Sequence, residues 1–139
     1  MTGNSVVTHT TNGGTIQFTP PTGDPTQPAS YKSLTTTSYV GENGRISMNT
    51  YLGTDGSPSD KLVVDGGAAT GTTLLHVTNT TGPGALTVGN GILVVDSIDG
   101  GTTTKDPTHL SSIIRSSEIK ACRWQHWTTF LGRNLGMYA

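Results

Sequence analysis

Between Tyr31 and Ile98 the chain is built of short apolar runs, each closed off by Gly, Thr, Asn or Asp, with no helical spacing anywhere in the stretch. The apolar centres are Leu34, Ile46 with Met48, Leu62 to Val64, Leu74 to Val77, Leu86 with Val88, and Ile92 to Val95. Such runs are too short for helices and are rich in the β-branched residues that suit a pleated surface. Ile46, Leu62, Leu75 and Ile92 follow one another at fairly even steps, each shorter than a typical repeat of a helical solenoid. Strands returning at such intervals predict a chain that coils and stacks on itself, a parallel β-solenoid. Coils of roughly 16 to 20 residues would give about five over residues 1–104, with Leu62, Leu75 and Ile92, or their immediate neighbours, in one interior column. An antiparallel sandwich would call for cleaner polar–apolar alternation and more two-residue hairpins.

Composition supports an all-β chain of one modest core. Of 139 residues, 12% are charged and 32% hydrophobic, so neither a polyelectrolyte nor a disordered tail describes the whole. Threonine occurs 26 times, 23 of them within residues 1–104, where a β-branched hydroxyl suits the outer face of a sheet. One cysteine, Cys122, leaves no intramolecular disulfide, and no apolar run reaches the length of a membrane helix. No basic-then-apolar leader is visible at the N-terminus, so the chain by itself would be expected to remain cytoplasmic.

Within residues 1–104, strands are expected at Ser5 to Thr8 and Thr15 to Thr19 about an Asn12-Gly13-Gly14 reversal. Pro20 to Pro28 holds four prolines and reads as a surface excursion. Further strands follow from Tyr31, at Arg45 to Tyr51, Asp60 to Asp65, Thr72 to Asn79, Ala85 to Val88 and Ile92 to Ile98. Near Thr104 the character changes. Residues 1–104 hold three basic against seven acidic side chains, net −4, and residues 105–139 five against two, net +3, with both tryptophans. Asp106-Pro107 is a helix-start signal, and the three- and four-residue steps through Leu110, Ile114, Ser117, Ala121, Trp124, Thr128, Leu131 and Leu135, a stripe with two polar positions, predict a helix over about 108–131. The division is therefore a solenoid segment, 1–104, and a divergent tail, 105–139.

An ordered set of motifs accompanies this pattern: Tyr31-Lys32-x-Leu34, Tyr51-Leu52-Gly53, Ser59-Asp60-Lys61-Leu62-Val63-Val64, Gly66-Gly67 with Gly71, and Gly91-Ile92-x-Val94-Val95. Together they resemble the C-terminal part of the passenger domain of classical, pertactin-like autotransporters over residues 3–101. The resemblance implies a right-handed parallel β-helix exported by type V secretion, displayed at the outer membrane and cell surface. In that family this part folds first and helps drive or template the rest. It also implies a cognate C-terminal translocator β-barrel and neighbouring passenger coils as partners, with a host surface or glycan as a candidate ligand. The residues that would carry such a role are inward aliphatics: Leu62, Val64, Leu75, Val77, Ile92 and Val94.

No catalytic, cofactor or metal site is expected. Asp55, Asp60 and Asp65 recur at even spacing, but calcium needs six to eight converging oxygens, and turn or strand-entry roles fit them better. His9, His76, His109 and His126 lack ligand spacing, and His76 alternates outward between Leu75 and Val77. No serine stands in a nucleophile-elbow motif, and the glycine pairs lack a phosphate-loop lysine. The tail's basic residues with Trp124 and Trp127 make too weak a patch for nucleic acid. The alternatives to a structural, folding-nucleating role are a β-helical polysaccharide-active enzyme fragment and a carbohydrate-binding or adhesive module. The composition break predicts a tail never selected to pack on the solenoid, whose removal leaves thermal stability nearly unchanged.

Overall fold

A computed structural model describes residues 1–103 and 134–137. The strands are β1 (Ser5–Asn12), β2 (Thr15–Gln17), β3 (Ser33–Thr50), β4 (Lys61–Asp65), β5 (Ala68–Asn79), β6 (Ile92–Ile98), β7 (Thr102–Thr103) and β8 (Asn134–Met137). A 3-10 turn, Pro28–Ser30, interrupts them. Strand pairing is parallel throughout β1 to β7: β1 and β2 lie on one side of β3, β4 and β5 on the other, then β6 on β4 and β7 on β5. The fold is the expected parallel β-solenoid, and the sandwich is excluded.

Its coils are longer than the strand spacing implied. Ser5, Leu34, Leu62 and Val95 occupy successive rungs of one column. Ile16, Ile46 and Leu75 form another. Two apolar runs therefore belong to each coil, one on each of two faces, so the chain from Ser5 to Ile98 makes about three turns rather than five. Leu62 and Leu75 accordingly stand in different columns, not one. The even steps between runs are half-turns.

The interior is apolar across both faces. Phe18, Leu34, Tyr39, Ile46, Met48, Leu62, Leu75, Val94 and Val95 form one buried cluster, and Leu52, Val77 and Ile92 a second. All six aliphatics expected to face inward do so: Leu62, Val64, Leu75, Val77, Ile92 and Val94 are buried. Stacked every ~4.8 Å, each contributes roughly 1.5–3 kcal/mol of transfer free energy. Leu86 and Val88, expected in a strand, lie in a loop instead, Val88 86% exposed. The N–H groups of Val88, Gly89 and Gly91 are given to the Asp55 carboxylate, which holds this segment as a loop.

The bend between the two faces is set by close packing. Asn12 is paired with Gly41, and Gly41 with Gly71. A Cβ on Gly71 would overlap the Gly41 carbonyl, and Gly71 has φ +76°. Gly44 likewise has no room for a side chain against Asn12. The Asn12-Gly13-Gly14 segment is thus a corner rather than a reversal, since β1 and β2 both run parallel to β3. The strands expected from Tyr31 and at Arg45 to Tyr51 form one continuous β3, with a bulge between Glu42 and Gly44 and Asn43 at φ +58°.

Strand β8 lies within the segment read as a divergent tail. It pairs antiparallel with β6, Ile92 opposite Met137 and Asp96 opposite Asn134. The helix expected over 108–131 lies outside the described residues, as do Cys122, Trp124, Trp127, His109 and His126.

Candidate functional site: an open edge and a knitted corner

Two features of the surface are organised enough to do work. The first is the edge formed by β1 and β2, which as strands pair only with β3 among the described residues. Val7 stands over Thr36, Thr10 over Tyr39, Asn12 over Gly41 and Ile16 over Ile46. Phe18 continues the pairing by donating its N–H to the Ser47 carbonyl at 3.0 Å, and is fully buried. Met1 closes the far end of the edge: its amino group donates to the Gln17 carbonyl, and its own carbonyl accepts from the Thr19 N–H at 2.9 Å.

This edge is braced by side-chain bonds that cross coils. The Asn12 amide donates to the Tyr39 hydroxyl at 2.9 Å and to the Arg45 carbonyl at 3.2 Å, while its oxygen accepts from the Gly14 N–H. Tyr39 extends the chain to the Thr73 hydroxyl at 2.9 Å, so three coils are linked in series. Thr10 donates to Thr36, and His9 pairs with Ser38 at 2.6 Å. A row of N–H and C=O groups along a braced edge is a template for another strand.

The second feature is one corner of the solenoid, where residues 19–32, 51–60 and 80–91 all leave the sheet. Asp60 lies at its centre, with no exposed surface. One carboxylate oxygen accepts the Lys32 N–H at 2.9 Å, and the other accepts both the N–H and the side-chain amide of Asn49 at 2.8 Å. Asn49 also donates to the Phe18 and Thr19 carbonyls, each at 3.1 Å. Asp60 and Asn49 thus fasten the first three coils together. A buried carboxylate persists only where donors satisfy it, as here.

Asp55 has a related role at the surface. It accepts the N–H groups of Val88, Gly89 and Gly91 at 2.9, 3.0 and 2.6 Å, tying one corner loop to the next. These bonds, Val88's foremost, hold its carboxyl below the usual carboxylate range. Asp24 is lowered in the same way by the Thr26 N–H and hydroxyl. Burial pushes the Tyr31 hydroxyl up, and its bond to Thr80 partly offsets this. That hydroxyl also donates to the Pro25 carbonyl at 2.8 Å, so the proline-rich excursion is anchored through Tyr31 to the loop that follows β5.

The expected sites fall accordingly. The evenly spaced aspartates do not converge: Asp55 and Asp60 serve separate backbone partners, and Asp65 ends β4. Among the described residues no group of three or more His, Cys, Asp or Glu is placed to hold a metal ion, and no helix is long and apolar enough to cross a membrane. His76 is half-buried between Leu75 and Val77, as alternation requires. The residues that sequence reasoning passed over are Asn12, Asn49, Tyr39 and Phe18. Their one signal is recurrence: Asn49 and Asn79 stand about one coil apart, where β3 and β5 leave the sheet.

Among the described residues these features define a parallel β-solenoid braced from coil to coil, with one open edge. Comparison with known proteins agrees with that class. Residues 5–117 match the family model for Autochaperone Domain Type 1, so the chain belongs to that family and is an autotransporter passenger segment. The match runs past Thr104, where composition changes. The chain is also similar to the adhesin BmaC autotransporter of Brucella suis biovar 1 (strain 1330), with 47% identity over 57 residues. That alignment covers 41% of this chain and 2% of the relative, so the chain corresponds to a small part of the relative's length.

Proposed function

We propose that the chain is the folding-nucleating segment of a type V secreted passenger, displayed at the bacterial cell surface, and that it acts without catalysis. The observation that carries this reading is the β1–β2 edge, cross-braced through Asn12, Tyr39 and Thr73. A strand arriving from upstream finds its hydrogen-bond partners already fixed, so it does not bear the entropy of ordering both sides of the pair. In a full-length protein its partners are the preceding passenger coils and a C-terminal translocator β-barrel. A role as a glycan-binding or adhesive surface is secondary, and the similarity to an adhesin autotransporter supports it.

The test fuses the chain behind an upstream passenger segment and replaces Val7 with Pro, which removes a backbone donor from the edge strand and distorts the template. Limited proteolysis then reads each part separately. The upstream coils should lose protection while residues 33–98 keep theirs. Equal protection of the upstream coils in both forms would reject the templating role.

A further inference from the structure

Strand β8 is the one named strand that runs against the direction of the solenoid. Every strand from β1 to β7 pairs in parallel, whereas Asn134–Met137 lies antiparallel on β6, with Ile92 opposite Met137, Leu93 opposite Gly136, Val95 opposite Leu135 and Asp96 opposite Asn134. A parallel coil continuing the stack would need this same edge. The rung that places Ser5, Leu34, Leu62 and Val95 in one column would place the first strand of a second copy over Val95. Wherever the β1 edge is not covered by upstream coils, the two ends of the solenoid are therefore complementary, and a molecule without a stop would stack head to tail. Such a contact is heterologous and does not close, so it propagates into fibres.

We propose that Asn134–Met137 is a strand stop, which occupies the β6 edge and bars the β1 edge of a second copy of this chain from adding there. Direction is the essential element. A parallel strand in that place would present a new edge of the same kind, while an antiparallel one breaks the register on which stacking depends. The register shift between Leu93 and Val95 adds a local irregularity, a recognised way of blunting an edge. The pairing also reaches beyond β4. The partnership of β4 with β6 covers Val95 to Ile98, so Ile92 and Leu93 take their strand pairing from β8. This inference concerns the opposite end from the templating edge and stands on the fold rather than on the templating reading.

Hydrogen exchange on the intact chain tests it first. Amides of Ile92 and Leu93 should exchange far more slowly than those of β1, whose outer side is the template edge. Exchange as fast as in β1 would overturn the stop. Leu135→Pro, which removes the N–H and fixes an unsuitable φ, supplies the second test. The variant should lose protection at Ile92 and Leu93, keep it at Ile46 and Leu75, and form large assemblies by light scattering. Adding Val7→Pro at the other end should return those assemblies to the monomer. A Leu135→Pro chain that stays monomeric, or that unfolds throughout, would overturn the proposal, since β8 would then be either idle or part of the core. Loss of templating with an intact stop, or the reverse, would separate the two readings.

Discussion

Removing the Asp60 carboxylate would strip the acceptor from three N–H groups at once, two from Asn49 and one from Lys32. The two Asn49 donors are enclosed with it, so Asp60→Ala should cost about 2–4 kcal/mol in urea unfolding. A loss under about 1 kcal/mol would show that the corner is held by other means. Asp55 gives a different readout because it is only half-buried. Its folded pKa is depressed, so the stability linked to it is present above the ordinary carboxylate value of about 4 and is lost as pH falls through the lower folded value. The amide resonances of Val88, Gly89 and Gly91 should titrate together with a midpoint below about 4, and Asp55→Asn should abolish the titration. A midpoint at or above that value counts against the loop clasp.

Between strands, the glycines of the bend separate two kinds of constraint. Gly71 and Gly84 both have positive φ, +76° and +72°, but only Gly71 is pressed against another backbone. Gly84→Ala should cost about 1–2 kcal/mol from the left-handed conformation alone. Gly71→Ala carries that strain and must also push β5 away from β3, so its melting temperature should fall further. Equal melting temperatures would mean that the bend yields without resistance. The same bend shows where sequence reasoning succeeded and where it stopped. Strand identity was legible because Leu62, Val64, Leu75 and Val77 alternate with outward residues. Coil length was not, because a parallel pairing partner lies a full coil away along the chain and nothing local marks which run meets which. Asn12 looked like a hairpin residue because Asn-Gly suits tight reversals, whereas here the side chain turns inward to brace Tyr39. Tertiary bonds, not the local dipeptide, decided the corner. A strand-entry place for Asp60, just before β4, was legible. The burial of Asp60 was not, since its donors come from distant stretches of the chain.

At the scale of the whole molecule, the three excursions 19–32, 51–60 and 80–91 leave the sheet together and return together, as the pairing of Ser33 with Lys61 and of Thr50 with Asn79 requires. Between those points the coil must keep its count, because one added residue in a strand turns every inward side chain outward. A short Gly/Ser insertion after Gly84 should therefore change stability by under about 1 kcal/mol, by loop-closure arithmetic. A single residue inserted after Ile46 should abolish cooperative unfolding. Similar losses from both insertions would refute the division of labour. That division bears on ancestry. The long excursions among the described residues lie on one flank of the molecule, where a lineage could lengthen or trim its chain without disturbing a rung. Descendants of one solenoid then drift out of step in their numbering while their columns stay aligned, and kinship survives in three dimensions after the repeat has vanished from the text.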